Sequence, residues 1–182
     1  MAPIASEFAK WQDWAKRIKI DVESRLVHPR QVFRGFISTV KANSKHIGEH
    51  DGGVFVRFVQ RCYVSHAAMA IRSHVKLGDK SISLMRLLAQ IHESAPEFTF
   101  QFFLQQFPID PSYVDWQSGA FSRFSHDGKT ISQVIVLQDI DILKNLSARI
   151  EDLADRSFAH LDKRGFDGVV TFGDLDACID AL

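Results

Sequence analysis

The residues best suited to chemistry in this 182-residue chain fall on one late helical stretch. Projected at about 100° per residue, Ile150, Leu153, Ala154, Ser157, Phe158 and Leu161 form an apolar stripe. Arg149, Arg156 and His160 share one edge of it, with Asp152 just outside. An arginine one turn before a histidine suits RNA cleavage without a metal. The histidine moves a proton at the attacking 2′-hydroxyl or the leaving oxygen, and the arginine holds the phosphate and its growing charge. The same residues have a plainer reading. Asp152 and Arg156 are an ordinary i,i+4 ion pair, and a histidine at a core boundary is usually a satisfied polar residue.

A second line of cations lies on an earlier helix. Arg57, Arg61, Ser65, Ala68 and Arg72 recur at steps of four, four, three and four. Arginines on an otherwise apolar helix cost several kcal/mol unless they are paired or face a cleft. Small Ser65 and Ala68 leave room for a close neighbour or a bound anion. The alternative is pairing of these arginines with acids of the C-terminal half, such as Asp152 or Asp155. His66 and His74 point to other faces and have no metal-ligand spacing with carboxylates. No phosphate loop, serine nucleophile elbow or cysteine–histidine signature is present. No metal and no cofactor is expected.

The elements that must position these residues are all helical. A first helix is expected from Ser6, as N-cap, to Leu26, with Pro29 breaking it. A second runs to about His46, and GEHDGG at 48–53 is a turn. The third, near 54–77, is apolar nearly all round, the pattern of a central buried helix. A short helix follows, capped by Ser81 or Ser83. Residues 94–130 are irregular or hold short helices, EFTFQFFLQQF being read as helix from its context. SHDGK is a turn. A long helix is expected near 132–163, ended by Gly165. Thr171 and Asp174 open the last one as a capping box. The fold class is thus all-α: an antiparallel bundle of about five to seven helices in a single domain, 1–182.

Bulk properties agree. Apolar residues are 46% and charged residues 24%, ordinary globular values. No apolar run approaches the roughly 18 residues of a membrane span, and the start does not look like a signal peptide. Cys62 and Cys178 form no metal or disulfide framework, so the expected location is the cytoplasm, with no membrane partner. Net charge is zero but uneven. Residues 1–92 hold 15 Lys and Arg against 7 acids, and residues 93–182 hold 7 against 15. Either a basic half packs against an acidic half, which is the favoured reading, or the basic half faces RNA.

Two segments carry a family resemblance. RFVQRCYVSHAAMAIRSHVKLGDKSISLMRLL, residues 57–88, resembles a segment of bacterial HEPN-like helical proteins. ADRSFAHLDKRGFDGVVTFGDLDACIDAL, residues 154–182, resembles their C-terminal end, where an Ala-His-x-Asp signature recurs. The nearest branch is the abortive-infection, AbiU-like one, and about a third of the chain is covered. The resemblance implies a bundle that dimerises, in a superfamily rich in metal-independent ribonucleases of toxin–antitoxin and phage-defence systems. RNA and an antitoxin or defence-system protein are the implied partners. Carried over, His160 is the proton-transfer residue and Arg156 its catalytic partner. Arg72, Arg61, Arg57 and Arg149 contact phosphate or RNA, and Asp155 or Asp162 orients the histidine. The superfamily places four to six residues between arginine and histidine. Here three separate Arg156 from His160. Arg61 and His66 match the spacing literally, but diverge by about 140° on their helix. The alternative function is a non-catalytic interaction or regulatory module in which the Arg/His stripe is structural.

Overall fold

The first helix runs straight past the proline expected to stop it. In the computed structural model, which describes residues 3–48, 52–78, 81–106, 114–159 and 166–182, α1 (Pro3–Val22) passes through a π-helical turn, Glu23–Val27, into α2 (His28–Ala42). Pro29 has no N–H to give the carbonyl of Arg25, its i−4 neighbour. The wide turn changes the partners: the His28 N–H reaches back five residues to the Glu23 carbonyl. The stranded Arg25 carbonyl accepts from His66 Nε2 at 2.8 Å. A break at Pro29 is therefore corrected to a continuous helix with one wide turn. Nor does Ser6 cap α1, since the helix already begins at Pro3, a residue type suited to a first turn.

The second helix does not reach His46 unbroken. Asn43, at φ −110° and ψ 21°, separates α2 from the short α3 (Ser44–Gly48). Then α4 (Gly52–Val75) begins, and its two halves differ. From Tyr63 onward it is the expected core helix: Ala67, Ala68, Ala70 and Ile71 are at most 1% exposed. The alanines let α8 (Gln133–Leu153) approach closely through Leu143, Ser147 and Ile150, all buried. The first half departs from expectation. Val54, Phe55 and Phe58 are 57%, 61% and 61% exposed. Phe55 meets Phe36 of α2 edge-on, with centroids 6.3 Å apart, and is still largely uncovered.

The remaining elements follow local chemistry. Ser83, rather than Ser81, caps α5 (Leu84–Ser94), its hydroxyl accepting from the Arg86 N–H. Trp11 of α1 donates to Gln90 of α5 at 3.1 Å, and Trp14 lies under Lys10 and Arg86. Within 94–130, α6 (Phe100–Gln105) is helical, as read from context, and α7 is Val114–Ser122. Thr99 and Thr130 form an isolated antiparallel bridge. The SHDGK turn is real: Asp127 accepts from the Lys129 and Thr130 amides, and Gly128 takes φ +70°. Ser132 caps α8, which ends at Leu153 and gives way to a second π-helical turn, Ala154–Ala159. The expected continuation to Lys163 and the stop at Gly165 lie outside the described residues. Thr171 and Asp174 form the expected capping box of α9 (Phe172–Ala181), which buries Leu175, Cys178 and Ile179. The result is an all-helical bundle in which short α3, α6 and α7 add pieces to the five to seven helices expected. No helix among the described residues is long and apolar enough to cross a membrane.

Candidate functional site

The seam where α4 meets the end of α8 holds the arginines singled out by spacing. Arg72, 20% exposed, sends Nε to Asp155 Oδ1, and Lys76 Nζ lies 3.7 Å from Asp155 Oδ2. Asp155 therefore bridges Arg72 of α4 and Lys76 just past its end. One position on, Arg156 Nε is 2.6 Å from Asp152 Oδ1, the i,i+4 pair of the plainer reading. Arg149 donates Nη2 to the Val169 carbonyl. Asp155 and Arg156 both sit in the wide turn after α8. Between Arg61 and Arg72, Ala68 has no exposed surface, so the small side chain admits the neighbouring helix. His160 and Asp162 lie outside the described residues.

Arg57 and Arg61 are placed differently. Both are on the exposed first half of α4, and neither has an ion-pair partner among the described residues. The structure thus brings Arg72 together with Asp155, pairs Arg156 separately with Asp152, and leaves Arg57 and Arg61 on a different stretch of surface.

The charge asymmetry of the sequence resolves into contacts between the two halves. Arg30 Nη1 is 2.6 Å from Asp180 and 3.9 Å from Asp176, and Arg34 Nη2 is 2.7 Å from Asp176. With Arg72 and Lys76 on Asp155, these link α2 and α4 to the acidic C-terminal half. The hydrogen bond that Arg34 donates to Asp176, and then the charge of that carboxylate, raise the Arg34 pKa above its ordinary value.

Two arrangements escaped the sequence reading. His74 is 3% exposed, with Nε2 2.9 Å from Asp21 Oδ2. Burial pushes its pKa below the ordinary 6.5, although the Asp21 charge and hydrogen bond pull the other way. The neutral ring donates Nε2–H to the carboxylate, which leaves Nδ1 as a buried acceptor without a partner among the described residues. Arg25 Nη1 reaches the same Asp21 oxygen at 3.1 Å and Ser73 Oγ at 3.4 Å. The signal for His74 was its position: eleven residues after Tyr63, it falls on the buried line of α4. Nothing in the sequence pointed to Asp21, 53 residues earlier.

The second arrangement is aromatic. Phe33 of α2 stacks on Tyr63 of α4 with centroids 4.0 Å apart and planes 6° from parallel. Phe172, at the start of α9, lies 5.0 Å from Phe33 and 6.3 Å from Tyr63. These rings floor a groove of about 340 Å³ whose α2 wall carries Arg34, Ser38 and Lys41.

Among the described residues no group of three or more His, Cys, Asp and Glu could hold a metal ion. No protein-family model, curated protein or solved structure matches the chain.

Proposed function

We propose that this chain is a HEPN-like helical interaction module, a cytoplasmic homodimer of a toxin–antitoxin or phage-defence system, whose arginine stripe serves structure. One observation supports this reading: Arg72 and Arg156, the two phosphate holders expected at a catalytic histidine, are closed in separate ion pairs with Asp155 and Asp152. Each arginine would have to give up its carboxylate before it could hold a phosphate. The function then lies in surface contact with a second copy or with a partner protein of the same system.

A second reading, a metal-independent ribonuclease with His160 moving the proton, is favoured by one feature. The wide turn Ala154–Ala159 carries Asp155, which meets Arg72 of α4, next to Arg156, and π-helical turns recur at functional sites. RNA cleavage and growth arrest on expression decide between the two. The module reading expects wild type, His160→Ala and Arg156→Ala to behave alike. Cleavage that disappears in both variants would replace it with the nuclease. Light scattering tests the dimer, and a monomer at micromolar concentration removes that part of the proposal.

A further inference from the structure

The first half of α4 presents an apolar surface with a cationic edge. Val54, Phe58 and Cys62 recur at steps of four, and Phe55 lies about 60° to one side of Phe58. Arg61 lies about 60° to the other side, with Arg57 beyond it. Val54, Phe55 and Phe58 are 57%, 61% and 61% exposed. Cys62, Arg57 and Arg61 are exposed as well. An apolar patch rimmed by polar groups marks a surface that meets another molecule or a membrane.

The charge at this end of the bundle is mostly of one sign. Among the residues of α2, α3 and α4 there is no Asp or Glu. Ile47 of α3 closes on Gly52, and Phe36 of α2 meets Phe55. Lys45 of α3 and Lys41 near the end of α2 therefore lie at the same end as Arg57 and Arg61. All four cations are exposed and have no ion-pair partner among the described residues. The connection to α4 adds Glu49 and Asp51, outside the described residues, and the balance stays positive.

Three occupants could cover such a face, and the chemistry separates them. A second copy would set these cations against themselves across a two-fold axis. A rigid protein partner would need hollows cut to side chains that stand out from one convex helix. A lipid layer deforms around apolar side chains, and its anionic headgroups lie at the depth where long cationic chains keep their heads. From this arrangement we infer that the first half of α4 seats the chain on an anionic membrane surface. Phe55 and Phe58 enter the headgroup layer, and Arg57 and Arg61 meet the lipid phosphates. The helix lies on the membrane rather than crossing it, so the lack of a spanning helix among the described residues does not oppose this contact. The inference replaces the expectation of no membrane partner, which rested on the lack of a spanning run. It is independent of the module reading, since it uses neither the Arg72–Asp155 nor the Arg156–Asp152 pair.

Sedimentation of the whole chain with lipid vesicles tests the inference. At low salt, vesicles of phosphatidylcholine and phosphatidylglycerol in equal parts should carry the chain down. Vesicles of phosphatidylcholine alone should hold it about tenfold more weakly. Phe55→Ser combined with Phe58→Ser should weaken binding to the mixed vesicles about tenfold or more. Arg57→Gln combined with Arg61→Gln should weaken it about tenfold, and circular dichroism should be unchanged in both. A polarity-sensitive dye on Cys62, the exposed cysteine, should shift to the blue when mixed vesicles are added. The inference is overturned if the mixed vesicles leave the chain in solution, or if both kinds of vesicle hold it equally. It is also overturned if either double variant binds as wild type does, or if the dye is unchanged while the chain sediments. A dimer in light scattering that the phenylalanine variant abolishes, without vesicle binding, gives the face to a second copy and overturns it too.

Discussion

The two halves of α4 have the same residue types and opposite environments. Both carry aromatic, aliphatic and arginine side chains: Tyr63 and Arg72 in the second half, Phe55, Phe58, Arg57 and Arg61 in the first. In the second half Ile71 and Ala68 have no exposed surface and Arg72 is tied to Asp155. In the first half Phe55 and Phe58 are 61% exposed, and Arg57 and Arg61 have no ion-pair partner among the described residues. What separates them is the neighbour. Tyr63, which opens the second half, stacks on Phe33 of α2, whereas Phe55 of the first half meets Phe36 edge-on and is still 61% exposed. An apolar helix surface is core only where another helix covers it.

The largest test of this contrast is truncation of core side chains. Ile71→Ala should lower unfolding stability by about 2–4 kcal/mol, because the site is fully buried and closely packed. Phe58→Ala, despite removing a larger side chain, should change it by less than about 0.5 kcal/mol. Denaturant unfolding reads both, and equal losses would mean that the first half is buried in solution. Next in size is the arginine contrast. Asp155→Ala leaves Arg72 and Lys76 without their shared carboxylate and should cost about 1 kcal/mol, the surface value applying in part because Asp155 is 43% exposed. Arg61→Ala should leave stability within error in the same assay.

A smaller effect concerns pH. His74 titrates below 6.5 in the folded chain and near 6.5 when unfolded. Below that value the unfolded state binds the extra proton, so the His74 contribution to stability is full above pH 6.5. It falls as pH drops through 6.5 towards the folded value. Thermal melting between pH 7.5 and 5 should show this loss, and His74→Gln should flatten the slope. A slope unaltered in His74→Gln would show that other groups cause it. The least perturbing test uses thiols. Cys62 is exposed, whereas burial pushes Cys178 up to about 12. A thiol reagent at pH 8 should modify one cysteine in the folded chain and two in denaturant.

Much of the helical architecture was legible from local rules. Ser83, Ser132 and the Thr171–Asp174 box start their helices as their side chains dictate. Asp127 and Gly128 make the turn their types suggest. The failures share a physical origin, in that they depend on a partner far along the chain. Pro29 reads as a breaker because its missing N–H is a local fact. The relief of the Arg25 carbonyl by His66 comes from 41 residues away. The exposed half of α4 follows from what packs on it, which periodicity does not contain. Of the site, the pairing of basic with acidic halves was visible in the charge distribution. The groove was not, because Phe33, Tyr63 and Phe172 lie on three separate helices that no spacing rule joins.

The wide turn at Glu23–Val27 has a last consequence, concerning insertions and deletions. Such a turn holds one residue more than a regular α-helical turn. Deleting Ser24, whose hydroxyl donates to the Asp21 carbonyl of its own helix, would offer the backbone a regular path. The remaining residues would then close nearly the arc that the wide turn closes, so α2 would keep its facing relative to α1 and Phe33 would stay on Tyr63. Removing a residue from the regular part of α1 instead would turn everything beyond it by about 100° and carry away the arginines that meet Asp176 and Asp180. The wide turn is thus the one stretch of this helix that already carries a spare residue.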